Sequence, residues 1–100
     1  MINYFLSNKA VEDLSNIWNY TYDTWSENQA DKYYNHLIDF CKEISENPKI
    51  GKNYDKIDKN IWGHQAKHHI IFYRMTEKNE IEIIRFLHKN MDLKNRIRET

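Results

Sequence analysis

One hundred residues are expected to form one domain, residues 1–100, around a single core that buries roughly two-thirds of the unfolded surface. Charged residues make up 30% of the chain and are interspersed with apolar ones, with only two Gly and one Pro, which excludes a disordered or linker-rich protein. The single cysteine, Cys41, excludes an internal disulfide, and no run approaches the roughly 20 apolar residues of a membrane helix, so the expected setting is the cytoplasm.

Ile2 to Leu6 is short, apolar and aromatic, as in a strand. Ser7 then stands where a helix N-cap is needed. Ala10, Leu14, Ile17, Thr21 and Trp25 recur at three- and four-residue intervals, with Val11 and Trp18 widening the stripe, which predicts a helix with one buried face. Ser26-Glu27-Asn28-Gln29 has the capping-box pattern and opens a second helix. Its stripe is Ala30, Tyr33, Leu37, Cys41 and Ile44, and Pro48 stops it near Glu46 or Asn47. So little chain separates the two helices that they fold back as an antiparallel hairpin.

Residues 47–60 hold the only Pro, Gly51 and several Asn, Asp and Lys, and read as one long connection with room for a helical turn. Beyond it the period changes to two. Residues 61–67 form a weak strand, His69 to Met75 a strong one, and Ile81 to His88 another, with a Thr76–Glu80 hairpin loop between the last two. The tail offers a short helix capped by Asp92. The predicted class is α+β, ordered β-αα-βββ, with a helical hairpin packed on an antiparallel sheet whose other face stays partly open.

The charge is uneven: residues 1–58 carry six Lys against ten acids, and residues 59–100 carry nine Lys or Arg against five acids. Two faces with different partners or an ordinary solvated surface both fit. Arg74 and Arg85 lie inside the strong strands. Either they form a cationic strip on the open face beside His88 and Lys89, or they make structural ion pairs, for example with Glu80 or Glu82. His64 and His68 lie four apart in a strand, about 13 Å, too far to share an ion. No metal, cofactor or catalytic residue is expected. Trp62 is the aromatic expected to be exposed.

Leu6-Ser7, Ala10, Asp13-Leu14, Ile17-Trp18, Tyr20-Thr21, Trp25, Gln29-Ala30 and Tyr33 together resemble the opening of the ParE toxins, in the ParE/RelE superfamily of bacterial type II toxin–antitoxin systems. The resemblance continues through Asn47-Pro48, Gly51 and His69 to Arg74, and ends in Ile84-Arg85-Phe86-Leu87-His88 with Met91-Asp92. It covers nearly the whole chain in order. It implies a helical hairpin on a sheet, a ParD-like antitoxin that wraps the toxin, and poisoning of a vital machine.

Two targets follow from the superfamily: DNA gyrase for ParE-like members, and messenger RNA in the ribosomal A site for RelE-like members. A ribosome-dependent nuclease docks against dense phosphate and calls for strong positive charge. This chain is neutral, and residues 61–66 carry no Arg or Lys. Gyrase inhibition by binding is therefore the expectation, with no sequence-specific nucleic-acid binding by the toxin alone. An mRNA endoribonuclease is the alternative, and a non-toxic, antitoxin-binding relic a third class. The expected target contacts are Arg74, Arg85, His88, Met91 and Asp92, although Asp92 also fits a cap and Met91 a core position.

Overall fold

A computed structural model describes residues 2–99. The elements run β1 (Tyr4–Leu6), α1 (Asn8–Thr24), α2 (Glu27–Glu46), β2 (Lys52–Asn53), β3 (Trp62–Ala66), β4 (His69–Met75), β5 (Ile81–His88) and α3 (Leu93–Arg98). Both predicted caps of the helical hairpin form. The Ser7 hydroxyl accepts from Ala10 N, and the Ser26 hydroxyl accepts from Gln29 N. In each case a side-chain oxygen satisfies an amide that the helix itself leaves without a partner. The two strong strands match their predicted limits.

The five strands lie in the order β1-β5-β4-β3-β2. The three C-terminal strands are antiparallel, but β1 pairs parallel with β5, Tyr4 opposite Ile81 and Leu6 opposite Ile83, so the sheet is mixed rather than wholly antiparallel. Local alternation carries no strand direction, so the sequence could not show this. The long connection contains the two-residue strand β2 and a single helical turn over residues 54–58, where Ile57 N and Asp58 N both donate to Tyr54 O.

One face of the sheet packs under the helical hairpin. Ala10, Leu14, Leu37, Cys41 and Ile44 meet Ile71, Tyr73, Ile81, Ile83 and Phe86. The opposite face is covered as well, which corrects the expectation of an open face. Ile61, Ile70, Phe72, Ile84, Leu87 and Ile97 form a second cluster, closed by Tyr54, Ile57 and Leu93. Residues 54–61 and α3 thus form a third layer over the strands. Tyr54 packs edge-on against Phe72 and lies so close over Gly63 that a Cβ there would stand 2.6 Å from its ring.

On the hairpin side, the buried Tyr73 hydroxyl donates to Pro48 O at 2.7 Å and accepts from Gly51 N at 3.1 Å, tying the long connection to the sheet. A Cβ at Gly51 would meet that hydroxyl at 2.6 Å, so this approach requires glycine. Trp62, expected to be exposed, is half-buried against the hairpin-side core.

Candidate functional site

The apolar stripe of α1 outruns the sheet. Its first half, Ala10 and Leu14, is core, but β4 begins at His69 and β5 ends at His88, so its second half is covered only in part: Ile17 still packs against the core, while Trp25 is exposed. There Ile17, Tyr20, Thr21 and Trp25 form one wall of a groove of about 760 Å³, with Gln29 and Tyr33 of α2 beside them. The other wall is Lys67, His68, His69, His88 and Met91. Trp25, counted in the sequence as a buried position, is 73% exposed, Tyr20 69% and Met91 44%. A groove of this size is in the usual range for ligand and peptide sites.

Three imidazoles meet in this second wall. The rings of His68 and His88 lie within 6° of parallel with centres 6.5 Å apart, and His69 stands edge-on to His88 at 5.4 Å. The pairing of His69 with His88 across β4 and β5 brings the two rings together, and the tight turn at Lys67-His68 adds the third. Lys67 sits in that turn at φ 58°, in the left-handed region that costs a side chain like lysine roughly 1 kcal/mol.

His88 Nδ1 accepts from Asn90 N at 3.2 Å, so the neutral ring carries its proton on Nε2 as a donor. His69 Nδ1 lies 2.7 Å from the Tyr33 hydroxyl. Burial, followed by the neighbouring His88 and His68, pushes His69 down to about 4. Burial pushes the Tyr33 phenol up. His69 therefore stays neutral near pH 7.

Of the five residues singled out in the sequence, the structure brings His88 and Met91 into the groove. Arg85 lies beneath them in an adjoining cavity of about 200 Å³, 7% exposed and bound on both sides. Its Nε and Nη2 donate to the two Asp13 oxygens at 2.7 and 2.9 Å, and its Nη1 donates to Arg96 O at 3.1 Å. Asp13 also accepts from Phe86 N at 3.1 Å. β1 ends at Leu6, so this carboxylate takes the place of a strand partner at the edge of β5. The Arg85 guanidinium is held up by Asp13 first of all.

Arg74 stands apart, 4.0 Å from Asp58 on the face that the 54–61 segment covers. Arg74 and Arg85 thus form no cationic strip: each is held by a separate carboxylate, and neither carboxylate is Glu80 or Glu82. Asp92 caps α3, accepting from Asn95 N at 3.4 Å and from Asn95 Nδ2 at 2.6 Å.

The sequence reading missed Tyr20, Trp25, Tyr33, Lys67 and His68 as a group. A signal was present in the α1 stripe, which runs two turns longer than the strands need. Cys41, in the core, is pushed up to about 12 by burial, which removes it as a nucleophile. No helix among the described residues is long and apolar enough to cross a membrane.

Residues 4–93 match the family described as the ParE toxin of the type II toxin–antitoxin system parDE. The chain is 37% identical over 90 residues to Toxin ParE1 of Mycobacterium tuberculosis, covering 90% of this chain and 92% of that one. It is 33% identical over 89 residues to Toxin ParE1 of Caulobacter vibrioides, with 89% and 91% covered. In fold it is similar to a chain of a chromosomal ParDE toxin–antitoxin system from P. aeruginosa, with a TM-score of 0.77 at 17% identity, covering 88% of this chain and 96% of that one.

Proposed function

This chain belongs to the ParE toxin family of type II toxin–antitoxin systems, and from that premise we propose that it acts in the cytoplasm by binding and inhibiting DNA gyrase, and that a ParD-like antitoxin neutralises it by covering the same groove. The observation that carries this reading is the partly uncovered second half of the α1 stripe, with Trp25, Tyr20 and Met91 exposed around His88. Contiguous apolar surface of this kind is costly in water and marks a site completed by another macromolecule. Among the expected contacts, His88 and Met91 face the partner, Arg85 braces the strand that carries them, and Asp92 starts the helix behind them.

The geometry gives less support to messenger RNA cleavage. A nuclease of that kind pairs a proton acceptor with a proton donor near pH 7 and stabilises developing phosphate charge. Here His88 Nδ1 is occupied by a backbone amide, His69 is held neutral, and the Tyr73 hydroxyl is engaged with the 48–51 segment. Arg85 is neutralised by Asp13.

Gyrase-catalysed supercoiling with purified protein tests the reading. Loss of supercoiling that the cognate antitoxin reverses, and that Trp25→Ala weakens, is expected. Full supercoiling at high excess of folded toxin refutes it, and cleavage of ribosome-bound mRNA by the same preparation would then install the alternative.

A further inference from the structure

The planes of His68 and His88 lie within 6° of parallel, with their centres 6.5 Å apart. At that distance the two imidazoles do not stack on one another, since face contact needs about 3.4 Å, the spacing of neighbouring bases along a nucleic-acid strand. The separation is close to twice that thickness. A flat ring between them needs about 6.8 Å to touch both faces, a small adjustment from the spacing observed. An aliphatic side chain, with carbon contacts of about 3.5–4.0 Å on either side, needs about 7–8 Å. Parallel faces at this spacing act as jaws for something planar.

One jaw is fixed and the other adjustable. His88 Nδ1 accepts from Asn90 N at 3.2 Å, and His69, itself 2.7 Å from the Tyr33 hydroxyl, stands edge-on to the His88 ring. His68 is exposed in the turn between β3 and β4, so a small rotation of its side chain supplies the remaining width. A jaw already held in place keeps the ordering cost of binding low.

Charge decides among the planar groups. The groove is lined by one cation, Lys67, and no carboxylate, which leaves an arginine guanidinium without a partner for its charge. A nucleobase arrives on a phosphate chain, but the two arginines of the adjoining cavity already pair with Asp13 and Glu99, so Lys67 alone would have to meet it. An uncharged aromatic side chain suits the rest of the lining, where Ile17, Trp25 and Met91 offer apolar cover to the segment that bears it. Aromatic anchors of this kind carry much of the affinity at protein interfaces.

We propose that the groove is occupied by a segment of the cognate antitoxin bearing a tryptophan, tyrosine or phenylalanine, and that this one ring seats between His68 and His88 as the anchor of the complex. The inference rests on the reading of the groove as the antitoxin-binding surface.

The test is NMR of the full-length toxin with isotope-labelled histidine, titrated with the cognate antitoxin at one fixed pH, beside calorimetry of the same pair. A ring seated between the two imidazoles shifts the carbon-bound protons of both upfield. Leucine in place of that single antitoxin aromatic should remove the shift and weaken Kd by about 30-fold or more. On the toxin, His68→Leu should weaken binding by about five- to tenfold. His68→Phe, which keeps a flat face and loses both ring nitrogens, should stay within about twofold of the parent. His68 is exposed, so Tm should hold in both variants. Antitoxin binding that leaves the two rings unshifted overturns the proposal, as does an equal loss in His68→Leu and His68→Phe. So does adenosine monophosphate that shifts the same protons and displaces the antitoxin, which would make the jaws a nucleobase site. If Trp25→Ala weakens the antitoxin while the imidazoles stay unshifted, only this inference falls. If neither Trp25→Ala nor the imidazoles respond, the groove is not the antitoxin's site and the reading beneath falls with it.

Discussion

In Arg85→Ala, the Asp13 carboxylate loses two of its three hydrogen bonds and keeps only Phe86 N, while Arg96 O loses its Arg85 donor. The two side chains of this pair are 8% and 12% exposed, so the charge left behind cannot rehydrate without opening the edge of β5. Removing one partner of a buried pair costs about 3–5 kcal/mol, mostly the penalty of the stranded charge. At about 4–8 °C per kcal/mol for a domain of this length, Tm should fall by at least 12 °C or so. Urea unfolding of Arg85→Ala, Asp13→Ala and the double variant measures the pair directly. The double variant should cost less than the sum of the singles by at least about 1 kcal/mol, because it leaves no orphaned charge. A loss below about 1 kcal/mol in Arg85→Ala, or singles that simply add, would refute the account. A variant that is inactive at unchanged Tm would return Arg85 to the role of a target contact.

Other outcomes follow from the same structure. Tyr73→Phe removes the hydroxyl that serves both Pro48 O and Gly51 N, and should cost about 1–3 kcal/mol in urea unfolding, with faster amide exchange over 48–53. Lys67→Asn relieves a left-handed lysine and should gain up to about 1 kcal/mol, while weakening antitoxin binding in calorimetry. His69 is held at about 4 in the folded protein against about 6.5 unfolded, so its contribution to stability is complete above about pH 6.5 and is lost as pH falls toward 4. Chemical denaturation across that window should show the loss, on the order of 2 kcal/mol once the full linkage value of about 3.4 kcal/mol is discounted for solvent screening of a partly exposed ring, and His69→Gln should reduce it. Trp25→Ala should change stability by less than about 0.5 kcal/mol yet reduce gyrase inhibition, since Trp25 lies at the exposed end of its helix.

Features set by neighbouring residues could be read in advance. Ser7 and Ser26 cap because a hydroxyl before a helix has a local amide to accept from, and Pro48 stops a helix whatever surrounds it. The change from a three- to four-residue repeat to a repeat of two located the strands. Features set across the chain could not be read. The Asp13–Arg85 pair joins residues 72 positions apart, and Asp13 looks like any helix-surface acid. The second core was partly visible. Ile70 to Tyr73, Ile83-Ile84 and Phe86-Leu87 have apolar residues on consecutive positions, the mark of strands buried on both faces. Tyr54, Ile57, Ile61, Leu93 and Ile97, which cover that face, sat among enough Lys, Asp and Asn to pass for solvated chain. His88 and Met91 were found as members of a linear motif, whereas their companions Trp25, Tyr33 and Lys67 come from three other parts of the sequence.

The placement of β1 has a consequence for the order in which the groove is assembled. The first strand has its partner in the last one, and Ser7, at the start of α1, bonds to Ile84 O from 77 positions away. A chain still being synthesised can fold its helical hairpin early, since α1 and α2 contact each other locally. It cannot seat β1, satisfy Asp13 or close the His88 side of the groove until residues 81–91 are free to pair. Such long closures are entropically costly and slow. The groove is thereby completed only after residues 81–91 have emerged, later than the helical hairpin that supplies its other wall.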